Sequence, residues 1–344
     1  MITHPLVCIC IPNYNNELTI SETLDSLLNQ TYKNIIIKIF DNASTDNSIV
    51  ILKKYEKKYH NIQVFQNEIN IGGEANFTQC IQNGEGKYTA VFHADDLYLP
   101  TMVEEQVQFL EGHFTCSAVA VHAYTIDENS YITGERFLPM EMKQINSYIF
   151  ENEIELLKMT LKYGNIITCP SVMARTDIFK NKIQKWNGRD YKTSADLDVW
   201  LRFAGFGGFG FLLKPLMKYR LSNVSYSYAV ARFETKVSDI FLVLNDYIGR
   251  NYISYQLGKE DIDNFHFLLF RNYISRTINC MIKGEKSDFP IEIFSKKILN
   301  KNLLKKKNVF RYCVGVFIKI IRNFQLPKKI KYILIFLKKS QNHG

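Results

Sequence analysis

Two adjacent carboxylates, Asp95 and Asp96, follow His93 and Ala94 directly after the apolar run Tyr88–Phe92. Side-by-side acids repel each other and settle where a cation relieves the repulsion, most simply a divalent metal. Alone, the pair has the composition of a turn or a helix cap. The rest of the chain changes that weighing. Earlier apolar runs are also followed by polar clusters: Pro12-Asn-Tyr-Asn-Asn-Glu17, Asp41-Asn-Ala-Ser-Thr-Asp46 and Asn70-Ile-Gly-Gly73. If the runs are parallel strands, all four clusters emerge on one sheet edge, which is where open α/β sheets bind ligands. That edge gathers five acids, Glu17, Asp41, Asp46, Asp95 and Asp96. A crevice of that charge suits a metal, or a ligand offering N–H and hydroxyl donors.

Positioning these clusters is the task of a regular alternation of elements. Leu6–Ile11, Ile35–Phe40, Ile62–Phe65, Tyr88–Phe92 and Ala118–His122 read as strands. Leu18–Asn29 (capped near Thr19 or Ser21), Ser48–Tyr59, Ala75–Gln82 and Thr101–Leu110 read as helices. The alternation predicts βαβ units and a parallel sheet. The strands are apolar throughout, as expected when both faces are covered. Beyond residue 125 the pattern loosens. A helix is expected at Glu153–Lys162, a strand broken by Pro170 at Ile166–Ala174, and a helix at Asp196–Phe203. Gly205–Gly210 reads as a glycine-rich turn and Leu216–Leu221 as a late strand, with helical pattern from Val230 onward. The boundaries drawn are an α/β domain over 1–225 and a helical, basic region over 226–344.

The net charge of +9 over 344 residues is unevenly spread. Residues 296–344 hold fourteen Lys or Arg and no acid, so the first 295 residues carry a net −5. Such asymmetry points to an anionic surface as partner. Val314–Ile321 and Ile330–Leu337 are interrupted or flanked by lysine, and both are shorter than the ~20 residues of a spanning helix. They fit helices lying on a membrane surface; the alternative is a packed bundle whose lysines face water. Aliphatic residues between the lysines suit lipid better than a base-stacking surface, so no nucleic-acid partner is expected. A helical tail also offers a homodimer contact. The chain opens without a secretory pattern, and its seven cysteines include no C-x-x-C pair. Free thiols in a reducing, cytoplasmic setting are expected.

Five segments occur in a set order: Val7-Cys-Ile-Cys-Ile-Pro-Asn-Tyr-Asn-Asn-Glu17, Phe40-Asp-Asn-Ala-Ser-Thr-Asp46, Asn70-Ile-Gly72, Asp95-Asp96 and Ala195-Asp-Leu-Asp-Val-Trp-Leu-Arg202. Through them the chain resembles the family 2 glycosyltransferases across residues 5–225. The resemblance implies an α/β GT-A fold, Rossmann-like with a mainly parallel sheet, and a helical C-terminal appendage. It implies an inverting, nucleotide-sugar-dependent transferase. Pro12, Tyr14 and Glu17 would border the nucleoside, and Asp41 would accept the base N–H. Asn70 and Gly72 would shape a loop or touch the nucleotide. Asp95 would hold ribose or assist the metal, with Asp96 as principal ligand of Mn²⁺ or Mg²⁺. Asp196 would be the general base, with Asp198 as its rival. Trp200 and Leu201 read as helix core.

Three positions depart from the family pattern. His93 stands where many relatives carry an acid, and it either binds metal or packs. Ala195 replaces a frequent Glu. Ser222 replaces a frequent His after Tyr219 and Arg220, so Arg220 either compensates at the diphosphate or forms a structural salt bridge. No Gln-x-x-Arg-Trp motif is present, which favours single-sugar transfer over polymerisation. The expected donor is a UDP-sugar, with a dTDP- or GDP-sugar as the alternative. The expected acceptor is a lipid-linked glycan in bacterial surface polysaccharide assembly. The rival from another class is a nucleotide-sugar-binding protein without catalysis.

Overall fold

The computed structural model describes residues 4–221 and 233–287, with positions 289, 313, 315, 317, 318, 320, 327 and 330–335 beyond them. The strands are β1 (Val7–Asn13), β2 (Ile35–Asp41), β3 (Ile62–Gln66), β4 (Tyr88–Val91), β5 (Leu97–Tyr98), β6 (Cys116–Ile126), β7 (Ile132–Glu135), β8 (Ser147–Phe150), β9 (Met173–Arg175) and β10 (Gly208–Arg220). They form one sheet in the order β3-β2-β1-β4-β9-β6-β10-β5, with β7 on β6 and β8 on β10. The half β3-β2-β1-β4 is parallel. β9 then intervenes antiparallel between β4 and β6, while β6 and β10 run parallel.

In the parallel half the apolar strands are covered on both faces, and Val7 to Ile11 are fully buried. Helices α1 (Ile20–Leu28), α2 (Ser48–Lys58), α3 (Gly73–Gln82) and α4 (Met102–Gly112) alternate with the strands. Each turns an apolar stripe inward; for α1 this is Ile20, Leu24 and Leu27. Thr19 stands at the start of α1 but makes no cap bond. Its hydroxyl instead donates to Ala94 O (3.1 Å), tying α1 to the turn that carries Asp95 and Asp96. Two longer helices follow along the chain, α5 (Glu153–Tyr163) and α6 (Ala195–Phe206).

Two expectations are corrected. Gly205–Gly210 is not a turn: α6 runs to Phe206 and β10 begins at Gly208. A Cβ on Gly210 would lie 2.2 Å from the Phe109 ring, and one on Gly207 would lie 2.4 Å from Thr115 O. These glycines therefore serve close approach of β10 to its neighbours. Ile166–Ala174 is not one strand either: a short 3₁₀ turn, Cys169–Ser171, holds Pro170, and only Met173–Arg175 pairs. Proline lacks the N–H that a ladder needs.

The chain divides into two compact units, residues 1–156 with 165–221, and 157–164 with 222–344. In the second, α7 (Ile240–Gly249) and α8 (Lys259–Lys283) are helical. The second unit has its own apolar cluster of Phe270, Ile274, Met281 and Ile318. Asp261 accepts the Gly258 N–H (2.8 Å) at the head of α8. Positions 313, 315, 317, 318, 320 and 330–335 are helical, while most of the basic stretch and Ser222 lie outside the described residues. Among the described residues no helix is long and apolar enough to cross a membrane.

Candidate active site

The parallel register sets Asn13 beside Asp41 at the ends of β1 and β2. Asn13 Nδ2 donates to Asp41 Oδ1 (2.8 Å), and Ser44 adds its hydroxyl (2.6 Å) and its backbone N–H (3.1 Å). Asp41 is thus a buried acceptor held in one orientation from below. Asn15 and Ala43 adopt left-handed backbone in the two facing loops. Asn15 Oδ1 accepts Thr45 N–H (2.8 Å), which locks the loops together. Pro12 is half-buried and Tyr14 stands exposed at the rim, an aromatic face open to a planar ligand.

Two of the five acids turn to structural work. Asp46 accepts the backbone N–H groups of Glu17 and Ser48, both at 2.9 Å. Burial pushes the Asp46 carboxyl up, but these hydrogen bonds outweigh it and leave it below its usual range. Glu17 accepts the backbone and side-chain N–H groups of Asn47 (2.9 and 2.8 Å). Asn70 and Gly72 form an exposed turn. Asn70 Oδ1 accepts Gly72 N–H (2.8 Å) and Asn42 Nδ2 (2.9 Å), and Gly72 has φ of +85° at the head of α3. That turn is anchored to the residue next to Asp41.

The Asp95-Asp96 turn is held from several sides. Thr23 Oγ1 donates to Ala94 O (3.1 Å) and Asp96 O (2.9 Å), and His93 N–H donates to the Tyr98 hydroxyl (2.8 Å). Arg220 N–H donates to Asp96 Oδ1 (2.8 Å). Ligating atoms of His93, Asp95 and Asp96 lie within 4.8 Å of one another. Asp96 is fully buried, and its Oδ2 has no hydrogen-bond partner; neither has His93 Nε2. Burial first, then the Asp95 charge, holds the Asp96 carboxyl well above the usual carboxylate range. Burial likewise pushes His93 down, toward the neutral imidazole that ligates metals. His93 Nδ1 is 3.8 Å from Asp96 Oδ2, too long for a hydrogen bond. Buried polar atoms left without partners are costly. An oxygen-rich set with one imidazole therefore fits a divalent cation.

Asp196 occupies the first turn of α6. Its Oδ1 accepts Leu197 N–H (2.8 Å) and its Oδ2 accepts Asn165 Nδ2 (3.0 Å). Burial raises its pKa to about 6 against the pull of those two bonds. Asp198 is in another situation: it is buried, accepts Arg202 Nε (2.9 Å) and Asn187 Nδ2 (2.9 Å), and ion-pairs with the second Arg202 nitrogen at 2.8 Å. Of the two, Asp196 has the side chain suited to move a proton. Trp200 and Leu201 are core. The Cys169 thiol, raised first by burial, feels the charge of both Asp196 and Asp96, so the two carboxylates share one region.

Arg220 proves structural. Its side chain is buried against Asp95 O (2.7 Å), Asp127 O (3.0 Å), Glu128 O (3.1 Å), the Glu22 carboxylate (2.9 Å) and the Ser130 hydroxyl (3.0 Å). Those acceptors use the five N–H donors of a guanidinium, so no diphosphate contact is left for it. The sequence reading did not single out Asn13, Thr23, Tyr98 or Asn165, which hold the site residues in place. Asn13 lies in a recognised motif and Thr23 six residues after one. The other two carry no local signal.

The fold is that of the GT-A glycosyltransferases, and Asp41, the His93-Asp96 turn and Asp196 are its candidate site residues. Residues 8–209 match the family described as Glycosyl transferase family 2, and the chain belongs to that family. An uncharacterised glycosyltransferase of Methanocaldococcus jannaschii is 30% identical over 224 residues, 64% of this chain and 72% of that one. A putative teichuronic acid biosynthesis glycosyltransferase, TuaG of Bacillus subtilis, is 28% identical over 225 residues, 65% of this chain and 82% of that one. The fold is similar to S. aureus TarS 1–349 in complex with UDP, with a TM-score of 0.53 and 17% identity over 92% of this chain and 91% of that chain.

Proposed function

We propose that this glycosyltransferase moves a single sugar, with inversion, from a UDP-sugar to a hydroxyl of a lipid-linked glycan in bacterial surface polysaccharide synthesis. The carrying observation is the pairing of a buried, unsatisfied Asp96 oxygen with a separate carboxylate, Asp196, that ionises at about pH 6. Tyr14 and Pro12 border the base, and Asp41 accepts its N–H. Glu17 acts behind them by holding the loop. Asp96, Asp95 and His93 hold Mn²⁺ or Mg²⁺, which neutralises diphosphate charge when bound. Asp196 takes the acceptor hydroxyl proton, so the acceptor oxygen attacks opposite the leaving nucleotide. The polysaccharide setting is supported by similarity to TuaG, and the UDP donor by the fold shared with a UDP complex.

The test is nucleoside diphosphate release from UDP-, dTDP- and GDP-sugars with a glycan-lipid acceptor, in Mn²⁺, Mg²⁺ or EDTA. Metal-dependent release from a UDP-sugar, lost in Asp96→Ala, supports the reading; exclusive use of a dTDP- or GDP-sugar replaces the donor assignment. The basic stretch 296–344 is proposed to hold the enzyme on the cytoplasmic face of an anionic membrane. Deleting it should abolish sedimentation with anionic liposomes, and unchanged sedimentation would sink that part.

A further inference from the structure

Arg136 follows β7, and its backbone N–H donates to Ala123 O on β6 (2.9 Å). Its guanidinium carbon lies 5.5 Å from the centre of the Tyr219 ring on β10. Tyr219 immediately precedes Arg220, whose N–H holds Asp96. Arg136 Nε is buried without an acceptor. Among the described residues its guanidinium forms no hydrogen bond or ion pair. Its charge pulls down Asp196, and also the Tyr219 hydroxyl, which in turn feels Asp95 and Asp96. Arg136 thus acts on Asp196 directly and shares the Tyr219 ring with the Asp95-Asp96 turn, without pairing with either.

A buried guanidinium donor without an acceptor is costly, and a ligand oxygen placed against it would remove that cost. Its planar fork matches phosphoryl oxygens, and stacking on an aromatic ring leaves the N–H edge free. The site also lacks such a cation elsewhere in this strand pair, because Arg220 is consumed by its own acceptors. We propose that Arg136 binds the diphosphate of the nucleotide-sugar donor and takes up its charge as the sugar departs. This rests on the nucleotide-sugar transfer proposed above. The bond from the anomeric carbon to the β-phosphate oxygen breaks, and its electron pair stays on that oxygen beside Arg136. The acceptor oxygen forms the new bond and gives its proton to Asp196.

The experiment is calorimetric titration of the full chain with UDP and UMP in EDTA, so that metal does not supply the diphosphate preference; dTDP and GDP with their monophosphates serve as parallel panels. Wild type should bind the diphosphate more tightly than the monophosphate. Arg136→Gln should lose diphosphate affinity about tenfold or more while monophosphate affinity stays, and Arg136→Lys should recover part of the loss. Unchanged diphosphate affinity in Arg136→Gln overturns the assignment and leaves the nucleotide-sugar reading standing. Loss of both nucleotides in both variants also overturns it, since the effect is then on the fold of the site. A wild type that binds none of the nucleotides overturns the donor reading as well.

Discussion

Asp196 titrates at about pH 6, so about nine-tenths of it is ionised at pH 7 and about one-tenth at pH 5. If it is the general base, kcat/KM climbs about tenfold per pH unit below that midpoint and levels off above it. Asn165 Nδ2 donates to Oδ2 of Asp196 at 3.0 Å. A hydrogen bond to a charged group contributes about 1.5–3 kcal/mol, and water replaces part of it at this half-buried position. A residual of about 1.4 kcal/mol in Asn165→Ala moves the midpoint upward by roughly one pH unit. Asp196→Asn keeps the shape and the Leu197 contact but removes the base, and should lower kcat by about 10²–10⁴-fold. Asp198→Asn weakens the Arg202 ion pair; it should lower stability and leave the pH midpoint in place. The assay is nucleoside diphosphate release between pH 5 and 8 with donor, acceptor and saturating metal. Undiminished kcat in Asp196→Asn, or an unmoved midpoint in Asn165→Ala, refutes the assignment of the base. The Asp196→Asn result also separates a transferase from a protein that only binds nucleotide-sugar.

Other consequences concern metal, charge and stability. Asp96 has its folded pKa raised, so ionising it opposes folding above its unfolded value of about 4, and that cost disappears at lower pH. Metal-free Asp96→Asn should therefore melt higher than wild type at pH 7, and a lower melting temperature would contradict the buried, unpaired carboxylate. Saturating wild type with Mn²⁺ at 100-fold its Kd should add about 2.7 kcal/mol of stability, a gain missing from Asp96→Asn. Arg220→Met strips the donors from four backbone and hydroxyl acceptors and should cost about 2–4 kcal/mol in urea unfolding. Its exposed Glu22 partner adds little. Gly210→Ala drives a methyl into the Phe109 ring and should cost about 1–3 kcal/mol.

The parallel half of the sheet was legible because its signals are local. Apolar runs buried on both faces, separated by helices with one apolar stripe, leave little choice of pairing. The order of polar clusters after β1, β2 and β4 then put Asn13, Asp41 and the His93-Asp96 turn on one edge. Gly207 and Gly210 were misread because glycine has two uses that look alike in a sequence. One is a turn that needs positive φ; the other is room for a neighbour, here Phe109 and Thr115. Only packing separates them. β5, β7 and β8 were missed because they are two- to four-residue strands at sheet margins, too short to show a period.

The charged residues show the limit more sharply. Asp46 and Glu17 carry the same charge as Asp95, yet they are taken up by amides of the facing loop, a contact set by how loops 13–17 and 41–46 meet. Of the two uses that sequence position suggested for Arg220, the structure shows the structural one. Arg220 lies beside the position of the missing imidazole, but its side chain is enclosed by the carbonyls of Asp95, Asp127 and Glu128. Arg136 belongs to no motif, and it lies over Tyr219 because β7 folds back on β6 and β6 pairs with β10. Motif spacing identifies groups attached to the βα units, where strand ends dictate direction. A cation delivered by a hairpin is placed by tertiary pairing. Its availability depends on whether the chain's own acceptors have already satisfied it, so the hydrogen-bond account of each guanidinium, rather than its distance along the chain from the acids, decides which arginine is left for a ligand.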